Sequence, residues 1–491
     1  MAACSRVTCL TNKSRTYLYK STKLYSNTAA VKSTSGQNEI IVPYKIKRGP
    51  TDLLKALAST ISKDYTAPQY KYEDDPYFIP ISNVTKRSFA LSKESGKKAA
   101  RYFLENYSDV FKCNKSDPHI KAFDPPVIYM EDDAVTVETL KDCIKDFDVK
   151  NCITVYQNLK KKEICVSQEI KQDLLELLCF YNDIPPPSDD YYEERFYARP
   201  NEKQSEKWNA KGMAEMLFQE MEKDGKAYSA IIAGASKFRN AVRAETLYEE
   251  MRSKELKGTV EAYNGLLTVV PLLQEGGDTR WEYAMHILSH MSSDGVKPNL
   301  HTMNALLATL SRSTRWNKCR AAALKVLAEM KNLKIDLSLG TYHYILMIFY
   351  GDEPKIPDVI YEVMNQVRGQ EFTIRHPNDV NFFATAMEMC WKAVCDKELA
   401  YQLHNLLEYK NNCKLLGNAL SEAQYFKCFF RLLSETEDMD KVMEVYEKYV
   451  PNTYTPEPSV TFSLLQAIHF SGAYKYLPRL ASGMSALLFL F

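Results

Sequence analysis

The sequence predicts an all-α fold, a right-handed superhelical solenoid built from repeated helix-turn-helix units. Residues 228–232 read Tyr-Ser-Ala-Ile-Ile, and residues 263–267, which begin 35 residues later, read Tyr-Asn-Gly-Leu-Leu. A second regularity lies at the end of each unit, because Met251, Met291 and Met330 each precede the start of the next unit by 12 residues. A period of about 35 residues, with an aromatic beginning and an apolar end, is typical of helical repeat proteins.

The second helix of each unit has its own signature. An alanine lies seven residues before each of these methionines, and larger apolar residues lie three and four residues before the same methionine. These spacings place the residues on one face of a helix, where alanine lets a neighbouring helix approach and the larger side chains fill the seam. The faces are Ala244/Leu247/Tyr248, Ala284/Ile287/Leu288 and Ala323/Val326/Leu327, with further copies at Cys152/Val155/Tyr156/Leu159, Ala214/Leu217/Phe218/Met221 and Ala400/Leu403/Leu407.

The first helices follow from the same register. Their predicted beginnings are near Thr136, Lys171, Tyr228, Tyr263, Met303, Tyr342, Phe382, Tyr425 and Phe462. The intervals are 35 to 43 residues, apart from one of 57 residues between the second and third positions. Three prolines at 185–187, followed by Ser-Asp-Asp, cannot continue a helix, so we expect an inserted loop at about residues 183–205. The array as a whole is predicted to occupy residues 131–480.

One junction between units resembles a known family. Residues 295–299 read Gly-Val-Lys-Pro-Asn, and Met303 follows four residues later in the place of the aromatic. This junction resembles the pentatricopeptide repeat, and residues 226–260 and 295–307 match that repeat best. Tetratricopeptide repeats have a similar length, but their Trp near the start of the first helix and Pro at the end of the second do not recur here at a fixed register. The resemblance implies a pentatricopeptide solenoid.

Repeats of that family read single-stranded RNA with two side chains for each base. Transferred position by position, the resemblance implies four RNA-binding pairs: Ser229/Thr259, Asn264/Asn299, Asn304/Ser338 and His343/Asn378. The two Asn-led pairs look like combinations that read pyrimidines. The next pair, Phe383/Ser421, departs from the family pattern, so we do not expect long sequence-specific recognition. The alternative is that these residues are ordinary surface or helix-start residues.

The first 38 residues indicate a cellular compartment. They contain no Asp or Glu and many Ser and Thr residues, and their six basic residues are Arg6, Lys13, Arg15, Lys20, Lys23 and Lys32. A basic, hydroxyl-rich segment without acids is typical of a mitochondrial transit peptide. The alternative is a disordered basic tail. We therefore expect a protein of the mitochondrial matrix, and no apolar run reaches the length of a membrane span.

Residues 39–130 are predicted to form an N-terminal extension with short helices. Two motifs in this extension indicate which group of pentatricopeptide repeat proteins the chain resembles. Residues 53–60 read Leu-Leu-Lys-Ala-Leu-Ala-Ser-Thr, and residues 74–77 read Asp-Asp-Pro-Tyr. Between a transit peptide and a repeat array, these motifs resemble the pentatricopeptide repeat protein family of the mitochondrial ribosomal small subunit. The resemblance implies that proteins of the small subunit, rRNA and single-stranded mRNA are the partners. Residues 481–491 depart from the family with an apolar tail, which suggests a truncated or alternatively spliced product.

The charge balance limits how the chain can bind RNA. The formal net charge of the chain is +1, and without the six basic residues of the leader it becomes about −5. Because affinity for nucleic acid depends largely on neutralising phosphates, a slightly acidic array binds RNA poorly by itself. Either the basic residues are gathered on one face, or protein partners hold the chain and its RNA contact is local. The second alternative is favoured.

Signatures of catalysis are missing from the sequence. There is no Gly-rich phosphate loop, no Ser or Cys nucleophile motif and no cofactor signature, so neither an enzyme nor a small-molecule substrate is predicted. The 12 cysteines include no Cys-x-x-Cys. His286 and His290 have the i, i+4 spacing of two metal ligands, but a third ligand is missing, so we expect no metal site.

The sequence therefore predicts a non-enzymatic mitochondrial protein of the ribosomal small subunit that contacts mRNA and rRNA and supports mitochondrial translation. A free mitochondrial RNA-binding factor for transcript stability or processing is the first alternative. A scaffold that binds only proteins is the second.

The leader can be tested by deletion. Removing residues 1–38 should leave the protein in the cytosol, because the six positive charges that suit electrically driven import are lost. Fluorescence microscopy and cell fractionation would measure the distribution, with the full chain as the control. Complete mitochondrial localisation of the deletion would contradict a transit peptide.

Overall fold

A computed structural model describes most of the chain beyond the leader. The described residues are 49–60, 83–107, 110, 127–130, 133–186, 207–351, 356, 358–417, 419–450 and 453–481. The predicted leader, residues 74–77 and most of both the inserted loop and the apolar tail lie outside them. The chain divides into two compact units, residues 1–64 and 65–491. Helix α1, Asp52–Thr60, lies in the first unit.

The first helix described in the second unit is α2, Asn83–Asn106, which has 24 residues and lies, like α1, within the predicted N-terminal extension. None of the described helices is long and apolar enough to cross a membrane. The other helices of the second unit alternate between first and second helices, as the repeats predict. They are α3 Val137–Lys145, α4 Val149–Lys161, α5 Gln168–Tyr181, α6 Met213–Glu220, α7 Gly225–Lys237, α8 Ala241–Ser253, α9 Val260–Leu273, α10 Gly277–Ser293, α11 Leu300–Ser311, α12 Cys319–Asn332, α13 Leu339–Tyr350, α14 Asp358–Val367, α15 Phe382–Met389, α16 Lys397–Glu408, α17 Ala419–Thr436, α18 Met439–Tyr449 and α19 Pro458–Ser471.

These helices form two layers. The odd-numbered helices α3 to α19 are the first helices of the repeats, and each packs against the next odd-numbered helix along the chain. Each even-numbered helix from α4 to α18 packs mainly against the first helix of its own repeat. All nine predicted first helices are present, and the all-α solenoid is confirmed.

Alanines make close packing between the layers possible. Ala244, Ala284 and Ala323 are completely buried, as are the methionines that follow them by seven residues. Leu288 and Leu327, which the helical spacing assigned to the seam, remain partly exposed at its margin. A small residue at the closest approach lets the larger neighbours interdigitate without a void.

Tyrosine hydroxyls tie the two helices of a repeat together. Tyr228 donates to Glu250 Oε1 at 2.5 Å, and Tyr263 donates to Asp294 Oδ2 at 2.5 Å. Tyr342 donates to Gln366 Oε1 at 3.0 Å. Each ring is at the beginning of a first helix, and each acceptor is at the end of the paired second helix. The aromatic position of the repeat therefore fills the core with its ring and fixes the helix pair with its hydroxyl.

The second helices end in a common turn. A residue with a left-handed backbone follows α8, α10, α12, α14 and α16, with φ between 53° and 76°; these residues are Glu255, Gly295, Lys334, Gly369 and Lys410. In the first three turns, the next residue donates its amide to the carbonyl of the buried methionine, at 2.9 to 3.2 Å. This arrangement satisfies carbonyls at the helix end and turns the chain into the next first helix.

One repeat departs from this regularity. A 3-10 helix, Pro377–Asn381, precedes α15, and a π-helical turn, Cys390–Val394, follows it. Pro377 has no backbone N–H to donate at the start. The buried Asp379 caps this turn, because its Oδ2 accepts from the amides of Arg375 at 2.7 Å and His376 at 2.9 Å. Its Oδ1 accepts from the Gly340 amide of the preceding repeat at 2.6 Å. Local side-chain hydrogen bonds therefore replace part of the first α-helical turn.

The Asp294 carboxylate provides a stability test. It accepts from Tyr263, from Arg252 Nη1 at 2.8 Å and from the Gly258 amide at 3.3 Å. Burial acts to raise the pKa of Asp294, but these hydrogen bonds outweigh burial and lower it. Asp294→Asn should therefore reduce the unfolding free energy by about 1–3 kcal/mol at pH 7.

The lowered pKa fixes the sign of the pH dependence. The stabilisation by Asp294 is complete above the unfolded-state pKa of about 3.9 and is lost as the pH falls through the lower folded-state pKa. Denaturant titrations should show a lower free energy of unfolding for Asp294→Asn than for the parent at pH 7. This difference in free energy should disappear in acid. Asp278→Asn is the control, since Asp278 and its partner Lys318 are exposed. Equal effects of the two substitutions would contradict the prediction.

Candidate nucleic-acid interface

The candidate RNA-binding pairs lie where consecutive repeats meet. The first member of each pair is in the opening turns of one first helix, and the second member is in the turn that leads to the next. Because consecutive first helices stack in register, the fold can bring together residues that are 30 to 35 positions apart. Three of the four pairs are in fact joined by a hydrogen bond.

Asn264 and Asn299 form a pair that is accessible from solvent. Asn264 Nδ2 donates to Asn299 Oδ1 at 3.3 Å, and both side chains are half-buried. Asn299 also caps α11, since its Oδ1 accepts from the Thr302 amide at 3.0 Å. Thr302 Oγ1 donates to Asn264 Oδ1 at 2.6 Å, which fixes the orientation of the Asn264 amide. The Asn264 amide still has a second N–H that a base edge could accept.

Asn304 and Ser338 repeat this geometry in a closed form. Asn304 Nδ2 donates to Ser338 Oγ at 3.4 Å, and Thr341 Oγ1 donates to Asn304 Oδ1 at 2.8 Å. Ser338 caps α13 through the Thr341 amide at 3.3 Å. Asn304 has no exposed surface, and Ser338 is 2% exposed. In this conformation, both groups serve the interface between repeats and do not reach solvent.

The pair Ser229 and Thr259 is joined through the backbone. Ser229 Oγ accepts from the Thr259 amide at 2.9 Å and donates to the Gly225 carbonyl at 2.6 Å. Ser229 is buried, whereas Thr259 is half-buried. Of this pair, only Thr259 has side-chain surface available to a ligand.

His343 and Asn378 are not bonded to each other. His343 Nδ1 pairs with Thr385 Oγ1 at 2.8 Å, and Asn378 Nδ2 donates to the Tyr344 hydroxyl. Burial lowers the pKa of His343 to about 4. Burial and the neighbouring His301 likewise lower the pKa of His376 to about 4. These two imidazoles are therefore neutral near pH 7 and supply no cation for a phosphate.

The polar row ends beyond these repeats. Phe383, the first member of the next pair, is completely buried, and Phe426 in the following repeat is 3% exposed. The pair Phe383/Ser421 departs from the family pattern in the sequence, and in the structure its first member is buried in the core and does not reach the surface. Upstream, α5 presents Glu169, Asp173 and Glu176 to solvent, and their charges disfavour RNA there.

Thr302 and Thr341 are members of this network that the sequence analysis did not single out. Each threonine is three residues after a helix N-cap, and each joins the preceding repeat to that cap through its hydroxyl. The available signal was the spacing Asn-x-x-Thr at 299–302 and Ser-x-x-Thr at 338–341, which is a variant of the capping box.

The histidine pair on α10 has a structural partner. The rings of His286 and His290 are 4.1 Å apart, and the Tyr248 hydroxyl bonds to His290 Nδ1 at 2.6 Å. Burial, and then His286, lowers the pKa of His290. Over the described ranges, no group of three or more His, Cys, Asp or Glu side chains is placed to hold a metal ion.

Comparison with protein families gives two matches. The family model for "Small ribosomal subunit protein mS39, PPR" matches residues 51–241. The model for "Pentacotripeptide-repeat region of PRORP" matches residues 219–378. Together they cover the long helix α2 and most of the repeat array.

Whole-chain comparisons agree with the first model. The chain is 39% identical to small ribosomal subunit protein mS39 of Drosophila melanogaster, over 91% of this chain and 69% of the relative. It is 32% identical to the proteins of the same name from Danio rerio and Mus musculus, over 92% and 93% of this chain and 71% and 70% of theirs. A crystal structure of the maize pentatricopeptide repeat protein PPR10 aligns at 15% identity with a TM-score of 0.37, over 71% of this chain and 43% of that one.

Proposed function

The chain belongs to the mS39 family of mitochondrial small ribosomal subunit proteins, and from that premise we propose a role in mitochondrial translation. The protein docks on proteins and rRNA of the small subunit in the mitochondrial matrix and contacts single-stranded mRNA. It has a binding function and no catalytic one. The observation that carries the proposal is the family relationship, which extends over more than nine-tenths of the chain.

The half-buried Asn264/Asn299 pair supports a direct contact with RNA. Its amides are fixed by Thr302 and keep donor capacity at the surface, so they can bind a base without a costly reorganisation. The closed Asn304/Ser338 pair and the buried Phe383 restrict the contact to a short stretch of RNA.

The charge balance indicates why such a contact belongs on a ribosome. A chain with a net charge near −5 beyond its leader neutralises few phosphates, so its affinity for free RNA is low. Docking on the subunit raises the local concentration of mRNA and makes a weak contact effective. A factor that acts alone lacks this advantage.

Sedimentation tests the proposed function. In mitochondrial lysate the protein should migrate with the small ribosomal subunit on a sucrose gradient, including after nuclease has removed mRNA, because protein and rRNA contacts hold it. An unrelated matrix protein of similar mass serves as the control and should stay near the top. The purified chain without residues 1–38 should bind RNA weakly, with a shallow salt dependence. Migration at the top, together with tight binding of free RNA, would instead favour a free RNA-binding factor.

Substitution of the amides tests the RNA contact. Asn264→Ala together with Asn304→Ala should abolish crosslinking to pyrimidine-rich RNA while the helical circular dichroism is kept, since each base contact is worth about 1–3 kcal/mol. Asn264→Ala alone should cause most of this loss because Asn264 is accessible. Asn304→Ala alone should mainly lower the Tm, because the buried Thr341 hydroxyl loses its acceptor.

The matched control is Asn106→Ala at the end of α2, an exposed asparagine outside the repeat array whose Nδ2 donates to the Tyr102 carbonyl at 2.8 Å. This variant should leave crosslinking and Tm unchanged. Unaltered crosslinking by the double variant would show that Asn264 and Asn304 are structural residues only.

A further inference from the structure

Five inter-repeat turns lie along one edge of the array. All first helices point the same way, so the turns that lead into them are adjacent. Direct contacts join neighbouring turns: the Gly258 amide donates to Asp294 at 3.3 Å, and Arg375 Nη2 donates to the Asp336 carbonyl at 3.1 Å. We call this surface the turn edge, and it comprises residues 252–259, 292–299, 331–338, 368–376 and 410–417.

The turn edge concentrates positive charge. Its five segments contain ten Lys or Arg residues and four Asp or Glu residues, whereas the chain as a whole is nearly neutral. Two of the four acids are already neutralised, since Asp294 pairs with Arg252 at 2.8 Å and Glu371 pairs with Lys410 at 3.1 Å. Six exposed cations of the edge form no ion pair with any described residue: Lys257, Lys297, Lys331, Lys334, Arg368 and Lys414.

Two lysines on the opposite edge are neutralised by acids of a neighbouring repeat. There, Lys318 pairs with Asp278 at 3.0 Å, and Lys397 pairs with Glu437 at 3.3 Å, in each case across consecutive repeats. These cations join repeats and are largely neutralised by their partners. The six turn-edge cations that have no such partner among the described residues are available for an external anion.

The cations are adjacent to the candidate base-contacting pairs. Lys257 is two residues before Thr259, and Lys297 is two residues before Asn299. In the next turn, Lys334 is four residues before Ser338. A strand whose bases face the polar pairs would therefore have its phosphates beside these lysines.

We propose that the turn edge binds the sugar–phosphate backbone of single-stranded RNA whose bases face the Ser229/Thr259 and Asn264/Asn299 pairs. This inference rests on the proposed function and specifies which residues supply affinity. Lysine suits the task because its flexible stem carries a compact charge that follows a phosphate without sequence preference. Local gathering of cations also explains how a chain near −5 can hold RNA at all.

The test removes three charges from the edge. The triple variant Lys257→Gln, Lys297→Gln and Lys334→Gln is compared with Lys145→Gln, Lys325→Gln and Lys441→Gln, three exposed lysines away from the turn edge. Binding of a fluorescent pyrimidine-rich single strand is measured between 50 and 200 mM salt. Each phosphate contact contributes about 0.7 to the magnitude of the slope of log K against log salt. Because the edge variant lacks three of these contacts, the magnitude of its slope should be smaller by about 2, and it should bind the strand about tenfold more weakly. The control variant should match the parent.

Sequence dependence separates the roles of the two surfaces. The loss in the edge variant should be equal for different single strands, whereas Asn264→Ala should change the preference among them and leave the salt slope unchanged. Circular dichroism confirms that each variant is folded. A salt slope equal to that of the control variant would overturn the inference, as would absence of RNA binding by the parent. The inference would also be overturned if duplex RNA displaced the fluorescent strand as well as single-stranded RNA does, since the edge would then bind folded RNA. Sedimentation with the small subunit tests the proposed function independently of all these outcomes.

Discussion

Register between consecutive first helices is the constraint on which this structure depends. A solenoid has no single core, so each helix pair is stable only when the next pair covers it. Fully buried alanines set the distance between the layers, and tyrosine hydroxyls bonded to Glu250, Asp294 and Gln366 fix each pair of helices. A shift of one residue would bury charged side chains and expose the tyrosines. The apolar and polar contacts therefore select the same alignment.

This register also creates the candidate interface. Because each turn ends at the same point, the N-cap of one first helix meets the opening turns of the previous one, and Asn299 reaches Asn264 across 35 positions. The left-handed residues after the second helices place the lysines of successive turns on one edge. The polar pairs proposed to face bases and the lysines proposed to face phosphates are thus two consequences of one repeated turn.

The sequence was sufficient for the helices because their signals are local. The intervals from Met251 and Met291 to the next first helix, and the alanines before them, depend only on the helical period. Burial of Asn304 was not predictable in this way, because it depends on contacts with Ser338 and Thr341 more than 30 residues away. The same reason applies to the interrupted helix α15. Pro377 gave a local signal there, whereas the hydrogen bond that the Gly340 amide donates to Asp379 joins residues of two different repeats.

The difference between the two Asn-led pairs bears on selectivity. A base contact discriminates by about 1–3 kcal/mol, and opening the Asn304 pair would first break buried hydrogen bonds of about 1 kcal/mol each. The net gain from that repeat is therefore small, and in the proposed contact the Asn264 pair is the principal reader. One open pair beside a row of unneutralised lysines gives modest affinity with little sequence preference. A protein of the translation apparatus must accept messengers of different sequence, so weak selectivity agrees with the proposed role, whereas a factor that recognises one transcript would need several open pairs in succession.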